Sequence, residues 1–322
     1  MSLPPLPARI RRRHLVTVAG AAALAAVALA GCSTTPAATG AAATSSGGSS
    51  TVITVVAAEN FWGSLAGQLG GTHVKVTSII DNPNADPHDY EPTAADGRAI
   101  AAAQLAIING VGYDSWATKL ANANPSATRI TLTVGDLVGA KDGDNPHRWY
   151  NPGNVKQVMA QITADYQKID PADAAYFAAQ HNTVINTNLK QYFGLISQIK
   201  ASYAGTPVGA SESIFAMLSP ALGLDLLTPP AFLRAISEGT DPSAADKATI
   251  DQQITTRQIK VYVYNSQNAT PDIQTQVKAA KAQGIPVTTI TETLTPAGAS
   301  FQDWQVAQLT ALKRALAQAT SK

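Results

Sequence analysis

The stretch DPADAAYFAAQHNTVINTNLKQYFGLISQIKASYAG, Asp170 to Gly205, decides how the chain is organised. After Pro171 it contains no proline, its only internal glycine is Gly194, and its apolar residues recur at helical spacing. We therefore predict one long helix of about 30 residues, far above the typical length of about 12. A helix of this length between two folded units acts as a rigid connector and leaves a cleft between them.

Short β-rich runs alternate with helical stretches on both sides of this helix. The predicted strands are 52–58, 74–80, 105–109 and 129–134 before it, and 206–211, 260–265 and 285–290 after it. Strands alternating with helices favour mostly parallel sheets with helices on both faces. We therefore predict an α/β fold of two lobes, each a mostly parallel β-sheet flanked by helices. The boundaries are 51–169 for the N-terminal lobe, 170–205 for the connecting helix and 206–322 for the C-terminal lobe.

The first 31 residues have the pattern of an export signal. Four arginines precede an apolar run from Leu15 to Ala30, which is shorter than the ~20 residues that a membrane-spanning helix needs. The sequence RRRHLV leaves both the general and the twin-arginine export routes open. Residues 32–50 are rich in Gly, Ser, Thr and Ala, which predicts a flexible tether. Cys32 is the only cysteine, so no disulfide can form within the chain.

Net charge argues against nucleic acid as a partner. The whole chain has 23 basic and 22 acidic residues, and removing residues 1–31 takes away four arginines and no acidic residue. The remaining 19 basic and 22 acidic residues give a net charge of −3. Nucleic-acid-binding domains present a basic surface instead.

Four residues have the position and the chemistry of metal ligands. His88 and His147 each lie in a loop bracketed by prolines ahead of a predicted helix, and Glu212 and Glu292 each follow a predicted strand. Taken singly, such residues are more often solvated histidines or helix-capping carboxylates. At least three of the four leave the carboxyl end of a strand, where open parallel sheets bind their ligands. Two imidazoles and two carboxylates predict a site for a divalent transition metal in the cleft.

Neighbouring side chains are predicted to support these ligands. Asp89 and Glu91 would orient the loop that carries His88, and Trp149 would form a wall beside His147. Asp303 is an outside candidate for the site, although a helix-capping role fits it better.

Several motifs together resemble one protein family. DPHDYEPT (86–93), NPHRWYNP (145–152) and SESIF (211–215) resemble the metal-specific solute-binding lipoproteins that deliver zinc, manganese or iron to ABC importers. The sequence LAGC at 29–32 resembles the lipobox of bacterial lipoproteins. The resemblance extends from Val52 to about Leu316. It implies that His88 and His147 are ligands, since they match the histidines of the family's two motifs.

The resemblance also implies the remaining ligands. The third is a histidine in many zinc binders and a glutamate in many manganese binders, and Glu212 occupies its position. The fourth is usually the aspartate of a TDS sequence, whereas this chain has TET, so that Glu292 carries one extra methylene group.

A cargo, an anchor and a partner follow from the same resemblance. They are one divalent ion (Zn²⁺ or Mn²⁺, with Fe²⁺ as a further option), a lipid on Cys32 and an ABC importer permease. The protein would be a monomer at the outer face of the cytoplasmic membrane.

The identity of the metal stays open at this point. Glu212 makes the ligand set harder and favours manganese or iron, whereas zinc generally outbinds manganese in the same site. Two other functions also remain. One is a zinc hydrolase that uses His88, His147 and Glu212 with an open coordination position, and the other is a surface adhesin with a structural metal. Four protein ligands and the lack of a separate base motif favour binding over catalysis, so we do not expect an enzyme.

Overall fold

The computed structural model describes residues 52–83 and 90–321. The predictions for the export signal, for Cys32 and the tether, and for His88 and Asp89 therefore lie outside the described residues. Within the described ranges, no helix has both the length and the apolar character needed to cross a membrane.

The first part of the chain alternates strands and helices as predicted. Its elements are β1 (Ile53–Glu59), α1 (Asn60–Gly70), β2 (Val74–Ile80), α2 (Ala94–Ala102), β3 (Leu105–Ile108), α3 (Ser115–Ala123), β4 (Ile130–Thr133), α4 (Val134–Leu137) and α5 (Pro152–Ile169). Two helices begin with side-chain caps. Thr93 and Asp96 form a capping box at α2, and Asn151 caps α5 just before Pro152.

The strands β1 to β4 form a parallel sheet with the order β2-β1-β3-β4. Val55 in the central strand β1 lies opposite Val76 on one side and Leu105 on the other. Side chains alternate between the two faces, and both faces of β1 and β3 are buried. This explains why these strands are continuous apolar runs in the sequence. All four carboxyl ends lie at the same edge of the sheet.

The connecting segment is helical where we predicted a helix, but it is divided. A 3₁₀ turn at Pro171–Asp173 leads into α6 (Ala174–Thr183), a π-helical turn at Val184–Asn188 and α7 (Lys190–Tyr203). The π-turn coincides with a tertiary contact, because Asn188 Nδ2 donates to Gln68 Oε1 of α1 at 2.9 Å. Such single π-turns inside helices are a known local variation, and helical periodicity in the sequence does not reveal them.

The last part of the chain builds a second parallel sheet. Its elements are β5 (Pro207–Ala210), α8 (Ser213–Leu222), β6 (Asp225–Leu226), α9 (Pro230–Ser237), α10 (Ala244–Thr255), β7 (Val261–Asn265), α11 (Pro271–Ala282), β8 (Val287–Ile290) and α12 (Phe301–Thr320). The strand order is β6-β5-β7-β8. Ser243 caps α10 through Asp246, as the sequence indicates, and Gly284 takes a positive φ just after α11. In the described ranges, the two four-stranded sheets confirm the predicted α/β fold of two lobes.

One hydrophobic core runs through both lobes. It includes Phe61 and Trp149 from the first lobe, Tyr192 from α7, and Phe301 and Trp304 from α12. A smaller cluster covers the other face of the first sheet. A shared core therefore joins the two lobes.

Candidate metal centre

Three of the four predicted ligands come together. His147, Glu212 and Glu292 each offer one ligand atom, and these atoms all lie within 4.8 Å of one another. The three side chains are 0, 1 and 8% exposed. Buried charges are costly unless they are paired or bind a metal, so this cluster has the character of a cation site.

Strand order in the second sheet brings the two glutamates together. Glu212 lies two residues after β5 and Glu292 two residues after β8, and β7 lies between these strands. The last residue of β7, Asn265, bridges the two carboxylates. Its Nδ2 donates to Glu212 Oε2 at 2.7 Å and to Glu292 Oε1 at 3.2 Å.

Side chains of the first lobe hold the backbone next to His147. Asn109 follows the end of β3, and its Nδ2 donates to the Pro146 carbonyl at 3.0 Å. Trp62 Nε1 in turn donates to Asn109 Oδ1 at 3.1 Å. Trp149 packs edge-on against the imidazole of His147, with ring centroids 5.2 Å apart.

Glu292 is held by both lobes. Tyr113 donates its hydroxyl hydrogen to Glu292 Oε2 at 3.2 Å. Gln267 Oε1 accepts from the backbone N–H of Glu292 at 2.7 Å, and Gln267 Nε2 donates to the Pro83 carbonyl at 2.6 Å. Pro83 immediately precedes residues 84–89, which include His88. Gln267 therefore connects the backbone of Glu292 to Pro83, the last described residue before His88.

Burial changes the proton affinities of the site. It raises the pKa of Glu212, while the hydrogen bond from Asn265 acts in the opposite direction. Glu212 Oε1 accepts no hydrogen bond from the described residues, and none of their lysines or arginines forms an ion pair with it. Burial and the nearby charges of Glu292 and Glu59 raise the pKa of Tyr113, which keeps its hydroxyl a donor. A divalent cation would supply a positively charged partner for the Glu212 carboxylate.

The other predicted residues have different roles. Glu91 is exposed in the segment before α2. Asp303 is exposed in the first turn of α12 and accepts from Ser300 Oγ at 2.6 Å, which is a capping role. A separate His–Asp pair lies just before β2, where His73 Nδ1 is 2.7 Å from Asp173 Oδ2 and the ring of His73 stacks on Tyr176. That pair ties β2 to the α5–α6 turn.

Sequence reasoning missed Tyr113, Asn265 and Gln267. Asn265 had a usable signal, because it ends a predicted strand and strand ends converge at the site. Tyr113 had none, since its partner Glu292 is 179 positions away in the chain.

Two parallel sheets whose carboxyl edges meet at a buried His–Glu–Glu cluster define a two-lobed ligand-binding protein. The comparisons with known proteins then identify the family. The sequence model described as "Zinc-uptake complex component A periplasmic" matches residues 55–315, and the chain belongs to this family.

Individual relatives are distant. The manganese-binding lipoprotein MntA of Halalkalibacterium halodurans is 27% identical over 128 residues, which is 39% of this chain and 42% of the relative. The manganese ABC transporter substrate-binding lipoprotein PsaA of Streptococcus pneumoniae is 25% identical over 233 residues, or 64% of this chain and 69% of the relative. The manganese-bound periplasmic metal binding protein of Candidatus Liberibacter asiaticus superposes with a TM-score of 0.68 at 19% identity. That alignment covers 82% of this chain and 99% of the other and shows a shared fold.

Proposed function

We propose that this protein captures one divalent transition-metal ion and delivers it to the permease of an ABC importer. The observation that carries the proposal is the convergence of the buried His147, Glu212 and Glu292 between two lobes. Membership of a metal-uptake family supports it, as do relatives named as metal-binding lipoproteins of ABC transporters. The same membership favours transport over the hydrolase and adhesin alternatives.

The metal is cargo, and the site would hold it through neutral imidazoles and ionised carboxylates. His147, Glu212 and Glu292 supply three donors, and we propose His88 as the fourth. Because burial raises the pKa of Glu212, this carboxyl releases any bound proton when the cation enters. Metal affinity should therefore fall as the pH is lowered.

The ligand set is compatible with zinc, manganese and iron. Two carboxylates favour harder cations such as Mn²⁺, while the imidazoles suit Zn²⁺ and Fe²⁺. We propose binding without catalysis, since four protein ligands would complete the tetrahedral shell of Zn²⁺ and the sequence offers no separate base motif beside the site.

The anchor and the location are part of the same proposal. Cys32 would carry the lipid, and residues 32–50 would tether the folded part to the outer face of the cytoplasmic membrane. The folded part, a monomer with lobes 51–169 and 206–322 on the connecting segment 170–205, would then reach the permease. Each lobe would contact one permease subunit.

Metal binding by residues 49–322, which form one compact unit, tests the proposal. We expect one Zn²⁺ or Mn²⁺ per chain by elemental analysis and titration. Changing an outer partner of a metal ligand already costs about 10- to 100-fold in affinity, and removing a ligand itself costs more, so H147A and E212A should lose the ion. H181A is the matched control, because His181 lies in α6, away from the cluster. Full retention of metal by both site variants would rule out the proposed site.

A further inference from the structure

We infer that Asn145 is a positioning residue with two tasks in metal capture, one for each end of its side-chain amide. Its oxygen fixes the tautomer in which His147 binds metal, and its nitrogen fastens the His147 loop to the C-terminal lobe. The inference rests on the proposed function and deepens it.

Two backbone partners of fixed polarity set the orientation of the Asn145 amide. Asn145 Oδ1 lies 3.1 Å from the backbone nitrogen of His147, and a backbone N–H can only donate. Asn145 Nδ2 lies 2.6 Å from the carbonyl oxygen of Ser213, which can only accept. The reversed amide would place its NH₂ group against the N–H of His147 and its oxygen against the carbonyl oxygen of Ser213, so the assignment of oxygen and nitrogen is determined.

This orientation determines the proton position on His147. Its Nδ1 lies 2.8 Å from the same Asn145 Oδ1. An amide oxygen only accepts, so Nδ1 carries the hydrogen of the neutral imidazole and Nε2 carries the lone pair. A metal ligand needs that lone pair, and second partners of this kind orient metal-binding histidines in general. Ser213 Oγ, 3.3 Å from Nδ1 and 2.6 Å from Ser237 Oγ, can adapt by rotating its hydroxyl.

The nitrogen of the same amide joins the two lobes next to the ligands. Asn145 belongs to the loop after the first sheet, whereas Ser213 begins α8 and directly follows Glu212. The 2.6 Å bond therefore connects the segment of one ligand to the segment of another. Holding these segments together would keep the side chains of His147 and Glu212 close enough to share one cation.

Aspartate could perform only one of these tasks. The motif that this chain resembles, DPHxWxDP, has aspartate at the position of Asn145. A carboxylate would still accept from His147 Nδ1, but it has no hydrogen for the Ser213 carbonyl, and two oxygens would face each other there. Asn145 thus adds a hydrogen bond between the lobes to the hydrogen bond that it accepts from His147.

Three substitutions test the two tasks. N145D keeps the acceptor and removes the donor, while N145A removes both. N151D is the matched control, since it is the same Asn-to-Asp change in the same motif. Asn151 only caps α5 by accepting from Gly153 and Asn154, which aspartate does equally well. Each variant of residues 49–322 is loaded with Mn²⁺ or Zn²⁺, the ion is removed with excess chelator, and His147 is followed by ¹⁵N NMR.

We expect N145D to keep the Nδ1–H tautomer and to release metal about fivefold faster or more, the effect of one lost hydrogen bond. N145A should mix the tautomers and bind metal about 10- to 100-fold more weakly. N151D should match the wild type. An unchanged or slower release from N145D would overturn the interlobe task, and wild-type affinity with an unchanged tautomer in N145A would overturn the histidine task. Failure of the wild type and N151D to bind metal would instead overturn the proposed function.

Discussion

Neutral amide side chains organise the buried site residue by residue. Asn265 lies between the two carboxylates, Gln267 holds the backbone of Glu292, and Asn145 supports His147. A charged side chain in any of these places would change the net charge of the site that a bound cation has to balance. Amides instead fix positions through donor and acceptor geometry alone, so the charge of the site is left to His147, Glu212 and Glu292.

A second pair of buried carboxyl groups lies in the first lobe. Glu59 ends β1, and Asp114 accepts from the backbone N–H groups of Asn109 and Gly110, each at 2.7 Å. Burial raises the pKa of Asp114 to about 6. Burial and the charge of Asp114 raise the pKa of Glu59 well above its ordinary value. The folded protein therefore holds protons here that the unfolded chain releases.

This pair makes the stability of the chelator-treated protein depend on pH. Because the pKa of Glu59 is raised in the folded state, its contribution is fully present below its unfolded pKa and is lost as the pH rises. We predict that the free energy of unfolding of E59Q, which is neutral at every pH, rises relative to that of the wild type by about 1 kcal/mol or more from pH 5 to pH 8, since one pKa unit equals about 1.36 kcal/mol. Urea unfolding measures this gap. Glu238 is exposed, so the control E238Q should differ from the wild type in free energy of unfolding by the same amount at every pH. A difference between E59Q and the wild type that does not change with pH would contradict the prediction.

Close packing of α1 on β2 shows how sequence spacing shapes an element. Gly63, Gly67 and Gly70 recur at helical spacing and face alternate residues of the neighbouring strand. A Cβ on Gly70 would meet the side chain of Val74, including its Cβ at 2.7 Å, whereas a Cβ on Gly67 would have only Val76 Cγ2 at 3.8 Å. The helix lies so close to the strand only because side chains are absent at Gly63 and Gly70.

Substitution by alanine should have opposite effects at Gly70 and at Gly67. G70A should destabilise the protein by about 1–3 kcal/mol, because the added methyl group overpacks the helix–strand contact. G67A should be neutral or stabilising by up to about 1 kcal/mol, since alanine is the better helix former. Thermal unfolding of both variants in the metal-free state compares them directly. Equal destabilisation by both would show that loss of glycine flexibility, rather than contact with β2, sets the cost.

The sequence predicts elements well where a pattern is local. The predicted strand 74–80 coincides with β2, whereas β6, at Asp225–Leu226, is too short to produce a pattern. The π-turn at Val184–Asn188 escaped prediction because it accompanies a contact with α1. At the site, strand ends indicated Glu212 and Glu292. The bridging role of Asn265 depends on the order β5-β7-β8, which only the folded sheet reveals.

At the scale of the whole molecule, hydrogen bonds as well as a common core join the two lobes. Tyr150 donates to the Thr291 carbonyl at 2.6 Å, and Ser64 Oγ accepts from the backbone N–H of Phe301 at 2.9 Å. Tyr150 is completely buried. Separating the lobes would expose this core and break these bonds, so a wide hinge opening is costly.

Metal capture should consequently change the shape of the molecule very little. A compact chain of this size has a radius of gyration of about 19 Å. We predict that small-angle X-ray scattering of residues 49–322 detects a change below about 1 Å when Mn²⁺ or Zn²⁺ is added to the chelator-treated protein, because adjustments stay within loops around the site. Y150F removes the hydroxyl that contacts both the Thr291 carbonyl and Gln308 Oε1 across the lobes, and it keeps the aromatic ring, so it tests whether such bonds limit the motion. A larger change in the wild type would mean that the lobes rotate despite their common core, and metal release would then depend on hinge opening rather than on loops such as that of Asn145.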